Sequence, residues 1–287
     1  MEQISKAWLN GCIGVIIFAG SLPATRIAVT EISPEFLTTA RAAIAGILAV
    51  LCLILSHQRL PNKHQVWGLS IVAFGVVLGF PLFTALALQT VNSAHAIVFV
   101  GLLPLATALF AVLRGGEKPA VQFWFFAVLG SALVIGYMYY ENPQLLLSIG
   151  DLYMLLAVLL CGLGYAEGGK LSRTLGGWQV ICWALVMALP FMLAGSLYYF
   201  PADISHIHLG PMLGLFYVSL FSMLIGFIFW YKALAMGGIA KIGQIQLIQP
   251  FIGFALSALL LGEQINIAMI LVSIAVVICV AMAKRAG

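Results

Sequence analysis

The fold of this chain is decided by one stretch of sequence that occurs twice. The first copy, residues 94–117, reads AHAIVFVGLLPLATALFAVLRGGE, and the second copy, residues 240–263, reads AKIGQIQLIQPFIGFALSALLLGE. Both copies begin with alanine and carry a proline ten positions later, Pro104 in the first and Pro250 in the second. Each copy is apolar and long enough to cross a bilayer as a helix. Because proline lacks the N–H of a helical hydrogen bond, the sequence predicts a kink at the same place in both helices.

The composition is typical of a membrane protein with several spans. Of the 287 residues, 63% are hydrophobic and 8% are charged, and the mean hydropathy is +1.12. A soluble domain carries about 25% charged residues. The net charge of +4 is spread over short loops, which is not the pattern of a nucleic-acid-binding patch. The cysteines lie inside apolar runs, and His206 and His208 have only Asp203 nearby, so we expect no metal site and no cofactor.

Ten apolar segments are each long enough to span a membrane as a helix. They lie at about 8–29, 36–56, 66–88, 94–113, 121–140, 150–169, 177–199, 211–235, 240–261 and 265–283. The fold class that follows is an all-α polytopic membrane protein with ten transmembrane helices. The run after Lys6 loosely resembles a signal peptide, but cleavage there would remove the first helix.

The ten predicted helices divide into two repeats, residues 1–145 (helices one to five) and 146–287 (helices six to ten). Because each repeat has five helices, an odd number, the second must cross the membrane upside down relative to the first. With the N-terminus in the cytoplasm, every outer loop lacks lysine and arginine, which predicts that both termini are cytoplasmic. Inverted repeats with proline-interrupted helices at matching positions are typical of secondary transporters.

Several motifs resemble the drug/metabolite transporter (DMT) superfamily, and its EamA-type ten-helix branch in particular. In the second helix Pro34 precedes Arg41 by seven positions, like the family's Pro-x6-Arg, and the pattern AL…A…P…GE occurs twice. The sixth helix, residues 150–173, reads GDLYMLLAVLLCGLGYAEGGKLSR and is similar to the family's start of the second repeat. The resemblance implies an inner-membrane carrier, and many such carriers export amino acids or metabolites. It also implies a central cavity lined by helices one, three, four, six, eight and nine.

Eight side chains on these helices are the expected substrate contacts, because aromatic walls suit amphiphilic or ring-bearing ligands and a few polar groups fix their orientation. They are Phe18, Ser21, Phe80, Thr84, Phe99, Tyr165, Trp230 and Gln244. In helix nine, Gln246 and Gln249 share a face and Gln244 lies apart. We choose Gln244 for the cavity because the adjacent Gly243 would allow close approach, while hydrogen bonding between helices is the alternative for each glutamine.

Four ionisable residues are candidates for coupling or gating: Glu167, His95, Arg26 and Lys170. Glu167 shares a helical face with Lys170, so it is either half of a surface ion pair or a proton-coupling carboxylate that faces the cavity. His95 opens helix four and is either an interfacial or capping group or a pH switch.

Two arginines lie inside predicted helices near their outer ends. For Arg26 and Arg41, the sequence predicts either ordinary interfacial anchors or a latch with Glu31 and Glu35.

The predicted function is that of a secondary transporter of the inner (plasma) membrane of a bacterium, exporting an amino acid or related metabolite by alternating access. An exporter of drugs or cationic compounds from the same superfamily is the alternative. An intramembrane enzyme would need paired catalytic groups at membrane depth, and a channel would need rings of charge or repeated filter loops, and the sequence offers neither. The expected partners are a small-molecule substrate and the lipid bilayer, with the protein a monomer or homodimer.

Overall fold

The computed structural model describes residues 2–141, 148–262, 264 and 266–286. Over these residues, all regular structure is helical and forms ten segments. The segments are α1 (Gln3–Ala28), α2 (Pro34–Leu55), α3 (Lys63–Thr90), α4 (Ser93–Gly115), α5 (Val121–Glu141), α6 (Ile149–Leu175), α7 (Gly177–Tyr198), α8 (Leu209–Gly237), α9 (Ile239–Leu261) and α10 (Ile267–Ala286). Glu263, the expected end of the second sequence copy, and the boundary expected between residues 145 and 146 lie outside the described residues.

The ten segments correspond to the ten predicted spans, with ends that differ by a few residues. Eight of them, all except α5 and α10, are long and apolar enough to cross a membrane. In α5 and α10 the described apolar stretches are shorter, Val121–Leu133 and Ile270–Cys279. Large apolar side chains such as Leu55, Leu113 and Phe191 are exposed on the outside of the bundle, where lipid would cover them. The prediction of an all-α polytopic membrane protein is confirmed.

Helices of the first half pack against helices of the second half in pairs that interchange. α1 packs on α8 and α3 packs on α6, while α4 packs on α6 and α9 packs on α1. α2 pairs with α7, and α5 pairs with α10. Exchanging the halves maps each of these pairs onto another pair or onto itself. The helix pairing is therefore symmetric between the two halves of the chain.

The two halves also share interruptions of their helices. α3 winds as a π-helix over Ala73–Gly79, and α8 does so over Val218–Ile225. α4 is interrupted at residues 101–102, and α9 winds as a 3₁₀-helix over Gln244–Ile248. At the spacing of 146 positions that separates the two sequence copies, the π-helical stretches match within one residue. The interruptions of α4 and α9 end at the same spacing, although that of α9 begins three residues earlier. The repeat in the sequence is therefore also a repeat of local helix geometry.

The two prolines mark points where a helix resumes. Pro104 and Pro250 each occupy one of the first two positions of an α-helical stretch that follows an interruption. A proline there loses no hydrogen bond, since the first N–H groups of a helix have no partner within it. The same stretches stop before Gly116 and Gly262, whose φ angles of 68° and 64° are left-handed and suit glycine at a helix end. The predicted kinks thus take the form of a break followed by a new helix start.

Candidate substrate cavity

A small cavity lies where helices from both halves meet. Its free volume is ≈ 20 Å³, which is room for about one or two water molecules. Twelve residues line it: Phe18, Ser21, Leu22, Arg41, Val76, Phe80, Pro81, Leu103, Tyr165, Ser222, Phe227 and Gln249. They come from α1, α2, α3, α4, α6, α8 and α9, so the cavity adds α2 to the helices that the sequence predicted.

Most of the lining occupies equivalent positions of the two repeats. Three pairs are each 146 positions apart: Val76 with Ser222, Pro81 with Phe227, and Leu103 with Gln249. Ser21 and Tyr165 form a fourth pair when the stretch that begins at Gly20 is aligned with the one that begins at Gly164. The cavity is therefore lined by both halves of the chain in a matching way. Leu103 and Gln249 are also the residues that directly precede the two prolines.

The polar part of the lining centres on Ser222 of α8. Its Oγ lies 2.7 Å from Oγ of Ser21 in α1. Arg41 of α2 donates from Nη2 to the same oxygen at 3.2 Å. Arg41 is 3% exposed, and its Nε has no hydrogen-bond partner among the described residues, nor has the buried Oε1 of Gln249. Polar groups from both halves thus reach the cavity with hydrogen-bonding capacity unused.

Aromatic side chains make up much of the apolar lining. The ring of Phe18 lies 5.0 Å from that of Phe227 and 6.3 Å from that of Tyr165, measured between centroids. Trp230 is fully buried and packs 5.4 Å from Tyr165 without lining the cavity. Gly226 permits this arrangement, since a Cβ there would lie 2.7 Å from the Phe18 ring.

Of the eight predicted substrate contacts, the structure brings Phe18, Ser21, Phe80 and Tyr165 to the cavity and leaves the other four elsewhere. The Thr84 hydroxyl donates to its own helix, at 2.7 Å from the carbonyl oxygen of Phe80. The Phe99 ring packs 5.7 Å from the His95 ring, and Trp230 lies behind the lining.

Gln244 lies in a separate cleft of ≈ 10 Å³ beside Pro104, between α4, α5, α9 and α10. The choice of Gln244 rested on Gly243, but the neighbour that Gly243 admits is Thr107 of α4, 3.5 Å from where a Cβ would stand. The glutamine that reaches the central cavity is Gln249, at the start of the resumed helix.

Two side-chain contacts join α4 to α6, one at each end of the bundle. At one end, His95 Nε2 lies 2.7 Å from Oδ1 of Asp151, which is buried. At the other end, Arg114 donates from Nε to Oε2 of Glu167, also buried, at 3.0 Å. We call the first end, with Glu31, Asp151 and Asp203, the acidic face, and the second end, with Arg59, Arg114 and Arg173, the basic face.

Glu117 ties three helices together at the basic face. Its Oε1 accepts from Nη2 of Arg173 at 2.9 Å. Its carboxylate also accepts from the backbone N–H groups of Ile239 and Ala240, each at 2.9 Å. These N–H groups belong to the first turn of α9, where a negative charge is favoured by the helix dipole. The ends of α4 and α6 are thereby held against the start of α9.

The ionisable residues have other partners than the sequence suggested. Glu167 bonds to Arg114 rather than to Lys170, which is exposed, and Glu167 does not line the cavity. Lys170 lies three residues after Glu167 on α6, but its side chain is exposed, whereas Glu167 is buried and bonds to Arg114 of α4.

The arginine latch is not formed among the described residues. The Arg26 guanidinium donates to the carbonyl oxygen of Leu88. Glu31 Oε1 instead lies 2.8 Å from His208 Nδ1, and the His208 backbone N–H, donating to Glu31, holds the pKa of this carboxyl below its usual value. Arg41 is neither an interfacial anchor nor part of a latch, because it points inward to Ser222.

The residues that sequence reasoning missed are Arg41, Ser222 and Gln249. For Arg41 a signal existed, since the Pro-x6-Arg motif singled it out, but its place near a predicted helix end suggested the membrane surface. For Ser222 the signal was its repeat position, opposite Val76. Neither residue could be assigned to a cavity before the packing of α2 against α8 was known.

Comparison with known proteins agrees with this architecture. The EamA-like transporter family matches residues 5–138 and again residues 148–284. The chain belongs to the EamA-like transporter family. An "Uncharacterized transporter YdeK" of Bacillus subtilis (strain 168) is 56% identical to this EamA-like transporter over 285 residues, covering 99% of each chain.

Two more distant proteins extend the comparison. An "Uncharacterized transporter sll0355" of Synechocystis sp. is 25% identical over 269 residues, covering 87% of this chain and 81% of that protein. A crystal structure of a protein with 17% sequence identity superposes with a TM-score of 0.74, covering 98% of this chain and 97% of the other. At that identity the superposition shows the shared fold alone.

Proposed function

We propose that this EamA-like transporter is a secondary carrier that moves a small organic solute by alternating access. The proposed cargo is an amino acid or related metabolite, exported across the inner membrane of a bacterium by a monomer or homodimer. The observation that carries the proposal is the cavity between the two halves of the chain, lined by equivalent positions of both. Inverted repeats that meet at a central site support rocking of one repeat against the other.

The contacts around the cavity support alternating exposure. α4 and α6 are joined at both ends, by His95 with Asp151 and by Arg114 with Glu167, so releasing one contact while keeping the other would open one face at a time. The π-helical stretches of α3 and α8 each place a residue in the cavity, and such stretches occur often at functional sites.

The alternative functions are less well supported. A cationic cargo would meet the positive charge of Arg41 inside a cavity whose lining has no carboxylate among the described residues. The same lining offers no histidine or paired acids for catalysis. For a channel, the sequence offers neither rings of charge nor repeated filter loops.

The proposed orientation places the basic face in the cytoplasm, as the asymmetry of lysine and arginine favours. The test uses single cysteines at Asn62 and Ser205, in a background without the native cysteines, and an impermeant thiol reagent applied to intact cells. Labelling at Ser205 and not at Asn62 is expected. Labelling at Asn62 alone would reverse the orientation.

Carrier function is tested by counterflow. Proteoliposomes loaded with unlabelled L-phenylalanine or L-leucine receive a trace of the same labelled amino acid outside. A carrier gives a transient accumulation of label above equilibrium and a rate that saturates with concentration. Flux that neither saturates nor shows counterflow would contradict a carrier, and the absence of any flux of either probe would contradict the amino acid cargo.

A further inference from the structure

Arg41 is a buried charge with very little to stabilise it. The side chain is 3% exposed, and its only hydrogen bond to a described residue goes to a serine hydroxyl, Ser222 Oγ, at 3.2 Å. No described aspartate or glutamate lies within ion-pair distance of Arg41, and its Nε has no partner. Removing a charge from water without a counter-ion is strongly unfavourable. An arginine kept in this position within a membrane-spanning helix therefore calls for a functional reason.

The polar side chains around Arg41 are suited to binding an anion. Arg41 lines the cavity with three further polar side chains, those of Ser21, Ser222 and Gln249. The two serine hydroxyls and the Gln249 amide can each donate a hydrogen bond as well as accept one. A guanidinium presents donors in a planar fork that matches the two oxygens of a carboxylate. A carboxylate in this cavity would supply the missing counter-ion and the missing acceptor together.

The remaining lining of the cavity indicates that the rest of the ligand is apolar. Its other walls are aromatic or aliphatic, including Phe18, Phe80, Leu103 and Phe227. No second described cation lines the cavity, so a second carboxylate would find no matching charge. The lining thus offers one anionic position and an apolar remainder.

We propose that the cargo of this transporter is an apolar monocarboxylate whose carboxylate binds Arg41 of α2, with Ser222 and Gln249 as further hydrogen-bond partners. This assignment deepens the proposed carrier function and rests on it. With a free volume of ≈ 20 Å³, the cavity is too small for such a molecule. Binding therefore requires the helices that line the cavity to move apart.

The test measures the melting temperature of the purified, full-length protein with matched ligands that differ in one group. L-phenylalanine carries a carboxylate and an amine, 3-phenylpropanoate only the carboxylate, and L-phenylalaninamide only the amine. The leucine series supplies the same three forms on an aliphatic body. A ligand that binds only the folded protein raises its melting temperature. We expect the melting temperature to rise with the carboxylate forms and not with the amides. Comparing L-phenylalanine with 3-phenylpropanoate then shows whether the site prefers an amino acid or a simple carboxylic acid.

The variants R41Q and R41K link this binding to the residue. R41Q should weaken the binding of the carboxylate forms by about 10- to 100-fold, the usual effect of losing a hydrogen bond to a charged group. R41K should retain part of the affinity because it keeps the charge. Arg59→Gln, in the exposed loop after α2, removes the same charge outside the cavity and should bind like the wild type. Without ligand, R41Q should melt at a higher temperature than the wild type, since it removes an uncompensated buried charge.

The outcomes separate the proposal from the carrier function. Equal stabilisation by acids and amides, unchanged affinity in R41Q, or equal stabilisation by chloride would overturn the carboxylate assignment. So would the absence of a rise with every carboxylate tested. In the first three cases saturable counterflow of L-phenylalanine or L-leucine could still be found, and the carrier function would then stand without the carboxylate assignment. If R41Q melts at a lower temperature than the wild type, the charge of Arg41 stabilises the fold and the carboxylate assignment fails.

Discussion

At three equivalent positions around the cavity, the first half supplies Val76, Pro81 and Leu103, whereas the second half supplies Ser222, Phe227 and Gln249. The backbone geometry of the two sets is alike, including the π-helical stretches and the starts of the resumed helices. The chemistry differs, because the second half can form hydrogen bonds at two of these positions and the first half at none. At the equivalent helices α2 and α7 the first half is the more polar one, because α2 carries Arg41 and α7 has no charged residue. The repeat thus provides the framework, and departures from the repeat provide the polar site.

The largest loss of stability is expected from Ser222→Val, which gives the second half the residue that the first half has at Val76. This change removes the one side-chain acceptor of Arg41 and the partner of Ser21. Losing a hydrogen bond to a buried charged group should lower the free energy of unfolding by about 1.5–3 kcal/mol. Thermal or denaturant unfolding of the purified protein measures the change.

The matched control is Val76→Ser, at the equivalent position of the first half. A serine there can bond to a carbonyl of its own helix and should cost much less than S222V. Adding R41M to S222V should recover most of the loss, because the unsatisfied charge is gone, and a double-mutant cycle measures this coupling. Equal losses in S222V and V76S would show that the polar asymmetry does not matter.

The next prediction concerns the affinity for the carboxylate and compares substitutions of two glutamines of α9. Gln249→Leu makes the second half like Leu103 of the first and removes a hydrogen-bonding group from the cavity. The half-saturation constant for the best carboxylate should rise about ten-fold, the equivalent of 1.4 kcal/mol. Gln244→Leu, in the separate cleft, should leave this constant near the wild-type value. The opposite ranking would place the cavity on the Gln244 side of α9.

The comparison also shows how far the sequence could predict this molecule. The ten helical segments and the helix interruptions near the two prolines could be predicted because each depends on apolar length or on spacing along the chain. Phe18 and Tyr165 could be placed because they lie on helices that the family resemblance already assigns to the cavity. Arg41 and Gln249 could not, because a side chain reaches a cavity through helix rotation and packing, and π- and 3₁₀-helical turns change that rotation without a sequence signature.

A smaller effect is expected at the basic face, in Glu117→Gln. This change removes the ion pair with Arg173 and weakens the contact with the first N–H groups of α9. Because Arg173 is partly exposed, most of the loss should come from the helix start, and the free energy of unfolding should fall by about 1 kcal/mol. A loss no greater than that of Lys170→Gln, on the exposed side of α6, would contradict this role.

The smallest effect is a pH dependence at the acidic face. The contact with the His208 backbone N–H lowers the pKa of Glu31, so the folded state favours its ionised form. The stabilising contribution is therefore complete above the ordinary glutamate pKa of about 4.3 and is lost as the pH falls through the lowered value. Melting temperatures of the wild type and E31Q should differ at neutral pH and converge in acid. A difference that grows in acid would have the wrong sign.

The central claim is that one cavity opens to each face in turn, and a cysteine at Ser21 in a background without the native cysteines tests it most directly. Sealed vesicles of both orientations are treated with an anionic, impermeant thiol reagent. Asp151→Asn weakens the acidic-face contact but keeps an oxygen that can accept from the backbone N–H of Ser148 at the start of α6, while Glu167→Gln weakens the basic-face contact. We predict that D151N raises labelling several-fold from the acidic face alone and that E167Q does so from the basic face alone. Equal labelling from both faces in either variant, or labelling that neither variant changes, would contradict alternating access through this cavity.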